Sequence, residues 1–221
     1  MLQPKLREEA GRPHFQLNER IGEYSFALRA LGEMDGREVL DVGTGASAWP
    51  HLMATCGFIV EAADKYGSYW RRPMVNRHFH VIHEDITEPT LSKRYDAVTC
   101  ISVLEHIPEH RAAVRGMLGL LRPGGRLILT APYNERTYHP DAYRHPEAGY
   151  GQDASYIAQV YSREQLEGWL ADSDASLVRQ ELYRVFTGEL WTQGERLHPP
   201  QPSTAEQPHH LACMVLEAPS P

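Results

Sequence analysis

The sequence predicts an α/β fold, a Rossmann-like doubly wound sheet of seven strands that is mostly parallel and ends in an antiparallel last strand. Two observations carry this prediction. Five short apolar runs rich in β-branched residues alternate with amphipathic stretches through the middle of the chain. Two later strand candidates are joined by a loop instead of a helix, unlike the six parallel strands of a dinucleotide-binding sheet.

The elements of the first half follow one another at short intervals. Buried parallel strands are expected over 38–42, 58–63, 79–83, 96–102 and 126–131. Helices are expected between them over 46–56, 67–77 and 109–121, the last ended by the helix-stop and turn sequence RPGG. An earlier helix over 14–31 would pack near the mouth of the sheet.

The second half begins with a long polar segment, 132–160, whose Tyr, His and Pro content is typical of lids and binding loops. Ser162 stands three residues before Gln165, a capping-box spacing that predicts a helix over 161–174. Strands are expected over 176–186 and 210–217, separated by a flexible Pro-rich connection. We interpret the chain as one domain that comprises a helical cap (1–35), a core (36–131), a lid (132–160) and a C-terminal part (161–221).

Composition narrows the function classes. A net charge of −7 argues against broad binding to nucleic-acid backbones. The chain has no apolar h-region and no 18-residue apolar run, which predicts a cytoplasmic protein without a membrane partner. Three scattered cysteines fit neither a disulfide framework nor a zinc site. His139, Asp141 and His145 offer metal-ligand atoms but lack ordered spacing, so no metal is predicted.

A glycine loop follows the first strand in the sequence VLDVGTGASAWP, residues 39–50. Such a turn brings backbone N–H groups and a helix N-terminus against a ligand without a Cβ in the way. It fits either a dinucleotide pattern, G-x-G-x-x-A, or a pattern for S-adenosylmethionine, D-x-G-x-G. Asp41, two positions before Gly43, would repel a pyrophosphate but suits a zwitterionic sulfonium ligand, and therefore favours the second interpretation.

Carboxylates close the next two strands. Asp64 stands 21 residues after Gly43, where it can accept hydrogen bonds from ribose hydroxyls of either cofactor. Asp85 closes the third strand and can accept from an adenine amino group, while Ile86 packs on the ring. The alternatives are a helix N-cap for Asp64 and a cap or solvated turn acid for Asp85.

Five sequence blocks decide between the cofactors. The blocks are VLDVGTGAS, VEAADKYG, VIHEDITE, YDAVTCISVLEHI and LLRPGGRLILTAPY. In order and spacing they resemble the class I S-adenosylmethionine-dependent methyltransferases, over residues 36–134. The resemblance implies that the methionine arm of S-adenosylmethionine is surrounded by Asp41, Gly43 and Gly45, the ribose is held by Asp64, and the adenine is contacted by Asp85 and Ile86. Thr44 is also expected to bind the cofactor. Lys65 or Tyr66 would lie beside the adenine, and Ser102 under the methionyl group. Ser47 departs from the family, which often has a third glycine there.

The resemblance implies a small-molecule methyltransferase, and we expect O-methylation of a glycan or secondary-metabolite acceptor in a bacterial biosynthetic pathway. Glu19, Arg20, Glu23 and Tyr24 also resemble the lid helix of such enzymes. A hydroxyl acceptor requires a general base, for which the candidates are His106, His139 and His145; a structural helix-start role is the alternative for His106. The other hypothesis is an inactive cofactor-binding module with a regulatory partner. A homodimer is possible.

Overall fold

In the computed structural model, which describes residues 18–45, 47–65 and 81–220, an eight-stranded mixed sheet is flanked by helices. The helices are α1 (Arg20–Gly32), α2 (Trp49–Thr55), α3 (His110–Gly119) and α4 (Arg163–Ala171). The strands are β1 (Glu38–Val42), β2 (Ile59–Asp64), β3 (Val81–His83), β4 (Tyr95–Ile101), β5 (Leu121–Pro132), β6 (Ser176–Phe186), β7 (Arg196–Ser203) and β8 (Leu211–Glu217). Short 3₁₀ helices form at Leu104–His106 and Ala142–Arg144.

The strand order is β3-β2-β1-β4-β5-β8-β6-β7. The first five strands pair in parallel, whereas β8 runs antiparallel to both β5 and β6. From β1 the chain adds β2 and β3 on one side and then β4 and β5 on the other, so the strand order reverses between β1 and β4. Open α/β sheets bind ligands at such a switch point, outside the carboxyl ends of the strands. The predicted α/β doubly wound fold is confirmed.

Helices cover both faces of the sheet because its inner strands alternate between two apolar cores. On one face, α1 and α2 bury Phe26, Leu31 and Trp49. On the other, α3 and α4 bury Met117 and Trp169. Neighbouring residues of each central strand point to opposite cores, so these strands read as continuous apolar runs.

The predicted strand count was one too low, and the Pro-rich connection is not a flexible loop. Residues Arg196–Ser203 form β7, which pairs antiparallel with β6 at the end of the sheet. Proline is tolerated on an edge strand because only one side of that strand must donate to a neighbour. The sheet therefore has two antiparallel strands, β7 and β8, beside the parallel set.

Other boundaries differ less. The sequence RPGG lies within Leu121–Pro132, where β5 bulges away from β4: the pairing passes from Tyr95 with Leu121 to Ala97 with Arg126, and Gly124 has a left-handed φ of 70°. The capping box is present, since the Ser162 N–H donates to the Gln165 side chain at 3.1 Å. Three predicted features lie outside the described residues: the helix over 67–77, Tyr66, and the start of the strand over 79–83.

The end of β6 is held by a buried histidine. His210 Nδ1 accepts from the Val185 N–H at 3.1 Å, so the proton resides on Nε2, which donates to the Gly188 carbonyl at 3.0 Å. Burial lowers the pKa of His210 to about 4, so its ring is neutral near pH 7. These bonds connect the residue before β8 to the end of β6 and to the turn that follows it.

Candidate active site

A cavity of about 340 Å³ opens beyond the carboxyl ends of the parallel strands. Its wall combines the ends of β1 to β3 with the 3₁₀ helix that follows β4. The lining residues from the predicted set are Gly43, Asp64, Lys65, Asp85, Ile86 and His106. The remaining predicted residues lie outside this lining: Asp41, Thr44, Gly45, Ser102, His139 and His145.

The glycine loop is tied to the end of β2. The Gly43 N–H donates to the Ala63 carbonyl at 2.8 Å, and the Gly45 N–H donates to Asp64 Oδ2 at 2.8 Å. Both glycines have left-handed backbones, with φ of 72° and 49°. Ser47 is accommodated without loss of the turn, since its N–H donates to the Thr44 carbonyl at 3.0 Å and its hydroxyl accepts from the Trp49 N–H at 3.4 Å.

Gly43→Ala should destabilise the protein strongly. A Cβ at Gly43 would lie 2.3 Å from Val103 Cγ1, and the positive φ adds strain for any L side chain. We expect the free energy of unfolding to fall by about 2–4 kcal/mol, measured by urea denaturation. Gly22→Ala is the matched control, because a Cβ there meets nothing within 4 Å in helix α1. Equal effects of the two substitutions would contradict the tight approach at Gly43.

In the cavity wall after β3, the Asp85 carboxylate already has partners within the protein. Asp85 Oδ2 forms an ion pair with Lys65, and Oδ1 accepts from the Thr87 N–H at 3.1 Å and from its hydroxyl at 2.7 Å. The Lys65 and Thr87 hydrogen bonds lower the pKa of Asp85 to about 2. Asp85 therefore makes the contacts of a turn acid while also lining the cavity beside the buried Ile86.

Asp41 lies beneath the glycine loop instead of in the cavity wall. Its carboxylate is 2% exposed and accepts from the Thr99 hydroxyl at 2.7 Å, which in turn accepts from Trp49 Nε1 at 3.2 Å. Burial raises the pKa of Asp41 to about 7. This chain of hydrogen bonds connects β1, β4 and α2, so Asp41 positions the loop that carries the glycines.

A buried polar cluster connects α1 to the ends of β4 and β5. Glu23 is fully buried, and its Oε1 accepts from the Ser102 hydroxyl at 2.5 Å and from the Thr130 hydroxyl at 2.6 Å. Arg20 donates to Glu23 Oε2 at 3.2 Å and to the Ile101 carbonyl at 3.0 Å. The predicted pocket residue Ser102 thus serves this cluster, with an unusual φ of 48°.

Sequence reasoning placed Arg20 and Glu23 in a helix that resembles a lid, but not among the residues that hold the cofactor. Their signal was a charged residue, Glu23, three positions before Phe26 on the apolar face of a predicted helix. The residue after Glu23, Tyr24, stacks on Trp49 with ring centroids 4.8 Å apart. The first turns of α1 therefore bring a cation and a carboxylate to the carboxyl ends of β4 and β5, and an aromatic ring against Trp49, the first residue of α2.

His106 is the predicted base that lines the cavity. Its Nδ1 lies 2.7 Å from the Ile157 carbonyl, which can only accept, so Nδ1 carries the proton in the neutral ring. The lone pair is then on Nε2, which lies 3.9 Å from Glu105 Oε1. Glu105 is itself buried, and burial raises the pKa of its carboxyl. His106 thus has the geometry of an oriented base, and the Glu105 carboxyl lies beside its Nε2.

The other two predicted bases belong to the lid and its contact with the C-terminal strands. The His139 and Val160 backbones pair across the lid, and the rings of His139 and His145 lie 6.4 Å apart. His145 Nδ1 lies 3.1 Å from the Gln193 side-chain nitrogen, next to β7. Their catalytic role stays a prediction.

Within 18–45, 47–65 and 81–220, no group of three or more His, Cys, Asp or Glu side chains is placed to hold a metal ion. The helices in those same ranges are too short or too polar to cross a lipid bilayer.

Comparisons with known proteins agree with this architecture. Residues 16–180 match the family described as methyltransferase domain. A ubiquinone biosynthesis O-methyltransferase of Xanthomonas oryzae pv. oryzae is 30% identical over 205 residues, covering 83% of this chain and 77% of that protein. The corresponding protein of Alkalilimnicola ehrlichii is 32% identical over 121 residues, 51% of this chain, which spans about half (49%) of that relative's length.

Among solved structures, the 1,6-didemethyltoxoflavin-N1-methyltransferase of Burkholderia thailandensis, with bound 1,6-didemethyltoxoflavin and S-adenosylhomocysteine, has a TM-score of 0.60 at 15% identity and covers 90% of this chain and 77% of its own. At that identity the likeness concerns the fold. The family match, which covers most of the chain, agrees with the five sequence blocks and with the strand order. The chain belongs to the class I S-adenosylmethionine-dependent methyltransferase family.

Proposed function

We propose that the cavity binds the adenosine part of S-adenosylmethionine, with Asp64 accepting from the ribose hydroxyls. The observation that carries this proposal is the position of Asp64 in the cavity wall, one residue after Ala63, whose carbonyl fixes the glycine turn. Among the described residues, the Gly45 N–H occupies Oδ2 of Asp64. Ile86 offers an apolar wall for a purine ring, and the Gly43 backbone lines the same cavity.

The methionine arm would lie under the first turns of α1. Arg20 is the cation there, and its guanidinium would pair with the carboxylate of the cofactor. Although burial opposes its charge, the neighbouring Glu23 raises the pKa of Arg20, so the guanidinium stays charged. The carboxylate of Glu23 would in turn favour a ligand that carries an ammonium and a sulfonium.

When bound, S-adenosylmethionine supplies an electrophilic methyl group on a sulfonium. The residues of this chain provide alignment, exclusion of water and a proton acceptor. His106 Nε2 is oriented by the bond from Nδ1 to the Ile157 carbonyl, and it takes the proton of an acceptor hydroxyl at the cavity. Glu105, 3.9 Å from Nε2, stabilises the imidazolium that results. These roles support methyl transfer to an oxygen atom of a small molecule.

The names of relatives support an oxygen acceptor, since both curated relatives described above are O-methyltransferases. The structural neighbour methylates a nitrogen, by its name, so the fold serves both atoms. The acceptor classes that we propose are a secondary metabolite and a glycan. The second candidate function is a module that binds the cofactor without turnover. This function would apply if none of the histidines acted as a base.

The test is conversion of S-adenosylmethionine to S-adenosylhomocysteine by the purified protein, followed by mass spectrometry, with pools of phenols, amines and sugars as acceptors. We expect product in the presence of one hydroxyl-bearing pool and a background rate without acceptor. Binding of S-adenosylhomocysteine, measured by calorimetry, without turnover in any pool would support the binding module. Absence of binding would refute both functions.

A further inference from the structure

The base at the cavity stands on a short backbone turn, the 3₁₀ helix that follows β4. This turn is closed by the His106 N–H, which donates to the Val103 carbonyl at 2.9 Å, and by the Ile107 N–H, which donates to the Leu104 carbonyl at 3.0 Å. Helices of this type have poorer hydrogen-bond geometry than α-helices, and their last carbonyls have no acceptor role within the helix. The carbonyls of Glu105 and Ile107, on either side of His106, therefore need donors from elsewhere in the chain.

Gln159 supplies donors to both carbonyls. It lies in the last part of the lid and the residues that follow, 157–161, which we name the returning segment. Its N–H donates to the Glu105 carbonyl at 2.9 Å, and its side-chain nitrogen donates to the Ile107 carbonyl at 2.7 Å and to the Glu105 carbonyl at 3.4 Å. Its side-chain oxygen accepts from the Tyr138 hydroxyl at 2.6 Å. Gln159 is 1% exposed, and these partners satisfy its side-chain amide.

The ring of His106 is held by the same segment. The Ile157 carbonyl, two residues before Gln159, lies 2.7 Å from His106 Nδ1 and accepts its proton in a hydrogen bond. This bond sets the tautomer, so the lone pair of the neutral ring is on Nε2. Residues 157–159 therefore fix both the ring of His106 and the backbone on either side of it.

The returning segment is also fixed on its other side. Val160 and His139 exchange two backbone hydrogen bonds of 2.9 Å each, and the Tyr161 N–H donates to the Pro132 carbonyl at 3.0 Å. Pro132 is the last residue of β5, so the segment is attached to the sheet. Because its backbone is held in this way, the Gln159 amide can orient the 3₁₀ helix instead of following it.

We propose, on the basis of the methyltransferase function above, that Gln159 is a positioning residue for the general base His106. Its amide holds the carbonyls on both sides of His106, and thereby the direction in which Nε2 faces the acceptor hydroxyl. Gln159 is buried and lies outside the cavity lining, so it acts through His106 and not by contact with the cofactor or acceptor. Alignment of this kind matters because proton transfer requires hydrogen-bond geometry between base and hydroxyl.

The first experiment observes the His106 ring directly and needs neither cofactor nor acceptor. Long-range ¹H–¹⁵N NMR of the free protein, at about pH 8.5 where an ordinary histidine is neutral, distinguishes protonated from unprotonated ring nitrogens. The His106 signals are assigned by their absence in His106→Ala. We expect a protonated Nδ1 in the wild type. Gln159→Met, which removes the side-chain hydrogen bonds but keeps a side chain of similar length, should give a mixture of both tautomers.

Gln193→Met is the matched control, because Gln193 is a second buried glutamine that contacts the lid. It is 8% exposed, and its side-chain nitrogen lies 3.1 Å from His145 Nδ1. This substitution disturbs the lid away from the 3₁₀ helix, so the His106 tautomer should stay as in the wild type. Tyr138→Phe keeps both donors of Gln159 and should also preserve the tautomer. If Gln159→Met shows no cooperative unfolding in urea, Gln159→Asn replaces it, since its shorter amide withdraws the donor from Ile107.

The second experiment asks whether Gln159 acts through His106. Turnover is measured with the hydroxyl-bearing acceptor pool, and Gln159→Met should lower kcat about tenfold. The KM for S-adenosylmethionine and the affinity for S-adenosylhomocysteine should change by no more than about threefold, because the cavity lining is intact. In a His106→Ala background, Gln159→Met should change kcat by less than about twofold, since the base that it positions is absent.

Three results would overturn the positioning role: a wild-type His106 ring protonated on Nε2, equal tautomer changes in Gln159→Met and Gln193→Met, or an undiminished effect of Gln159→Met on kcat in the His106→Ala background. Each would leave Gln159 as a structural contact of the lid. Failure of the wild type to bind S-adenosylhomocysteine would instead refute the methyltransferase function, and the NMR spectra of the free protein would still show whether Gln159 orients the ring.

Discussion

Asp64→Asn should weaken the binding of S-adenosylhomocysteine by about tenfold to a hundredfold, the range for hydrogen bonds to a charged group. The substitution preserves the size of the side chain and leaves an oxygen that can accept from the Gly45 N–H at the position of the 2.8 Å bond. What it removes is the negative charge in the cavity wall, toward which two ribose hydroxyls would donate. Isothermal titration calorimetry measures the loss.

The matched control for this substitution is Asp174→Asn. Asp174 is an exposed aspartate outside the cavity wall, and asparagine tolerates its positive φ of 54°. We expect it to bind S-adenosylhomocysteine as the wild type does and to unfold at the same urea concentration. If Asp64→Asn bound the cofactor product with wild-type affinity, the ribose would have to lie elsewhere, and the assignment of the cavity would be wrong.

His106→Ala should lower kcat by about a hundredfold or more, the usual contribution of a positioned general base. The affinity for S-adenosylhomocysteine should change by no more than about threefold, since the His106 ring is one of many side chains that line the cavity. Imidazole added to the buffer should restore part of the rate, because the deleted side chain leaves space for it beside Glu105. The measurement is turnover with the acceptor that the pooled assay identifies.

His198→Ala serves as the control, as this histidine is exposed on β7. It should retain the wild-type rate and show no response to imidazole. If His106→Ala kept the wild-type kcat, the structural alternative for this residue would be correct, and its bond to Ile157 would serve only to position the lid. His139 and His145 would then be the next residues to replace.

The local parts of the site could be predicted because they depend on residues close in sequence. Gly43 and Gly45 require left-handed turns, and Asp64 follows a strand next to β1, so its place in the wall follows from parallel pairing. Ser47, which breaks the family pattern, keeps the turn through one backbone and one side-chain bond. The strand β7 was missed because its prolines are typical of loops, and only a position at the sheet edge makes them acceptable.

The sequence by itself determined the fold class, the family and the carboxylates at the strand ends, because alternating apolar runs and short glycine motifs act over a few residues. The tertiary structure alone decided which of the predicted residues meet. It moved Asp41 and Ser102 into supporting hydrogen-bond networks, brought Arg20 and Glu23 to the carboxyl ends of β4 and β5, and placed Tyr156 against His106. These contacts join residues about 50 to 80 positions apart, and such pairings depend on how helices and lid pack on the sheet, which no local pattern records.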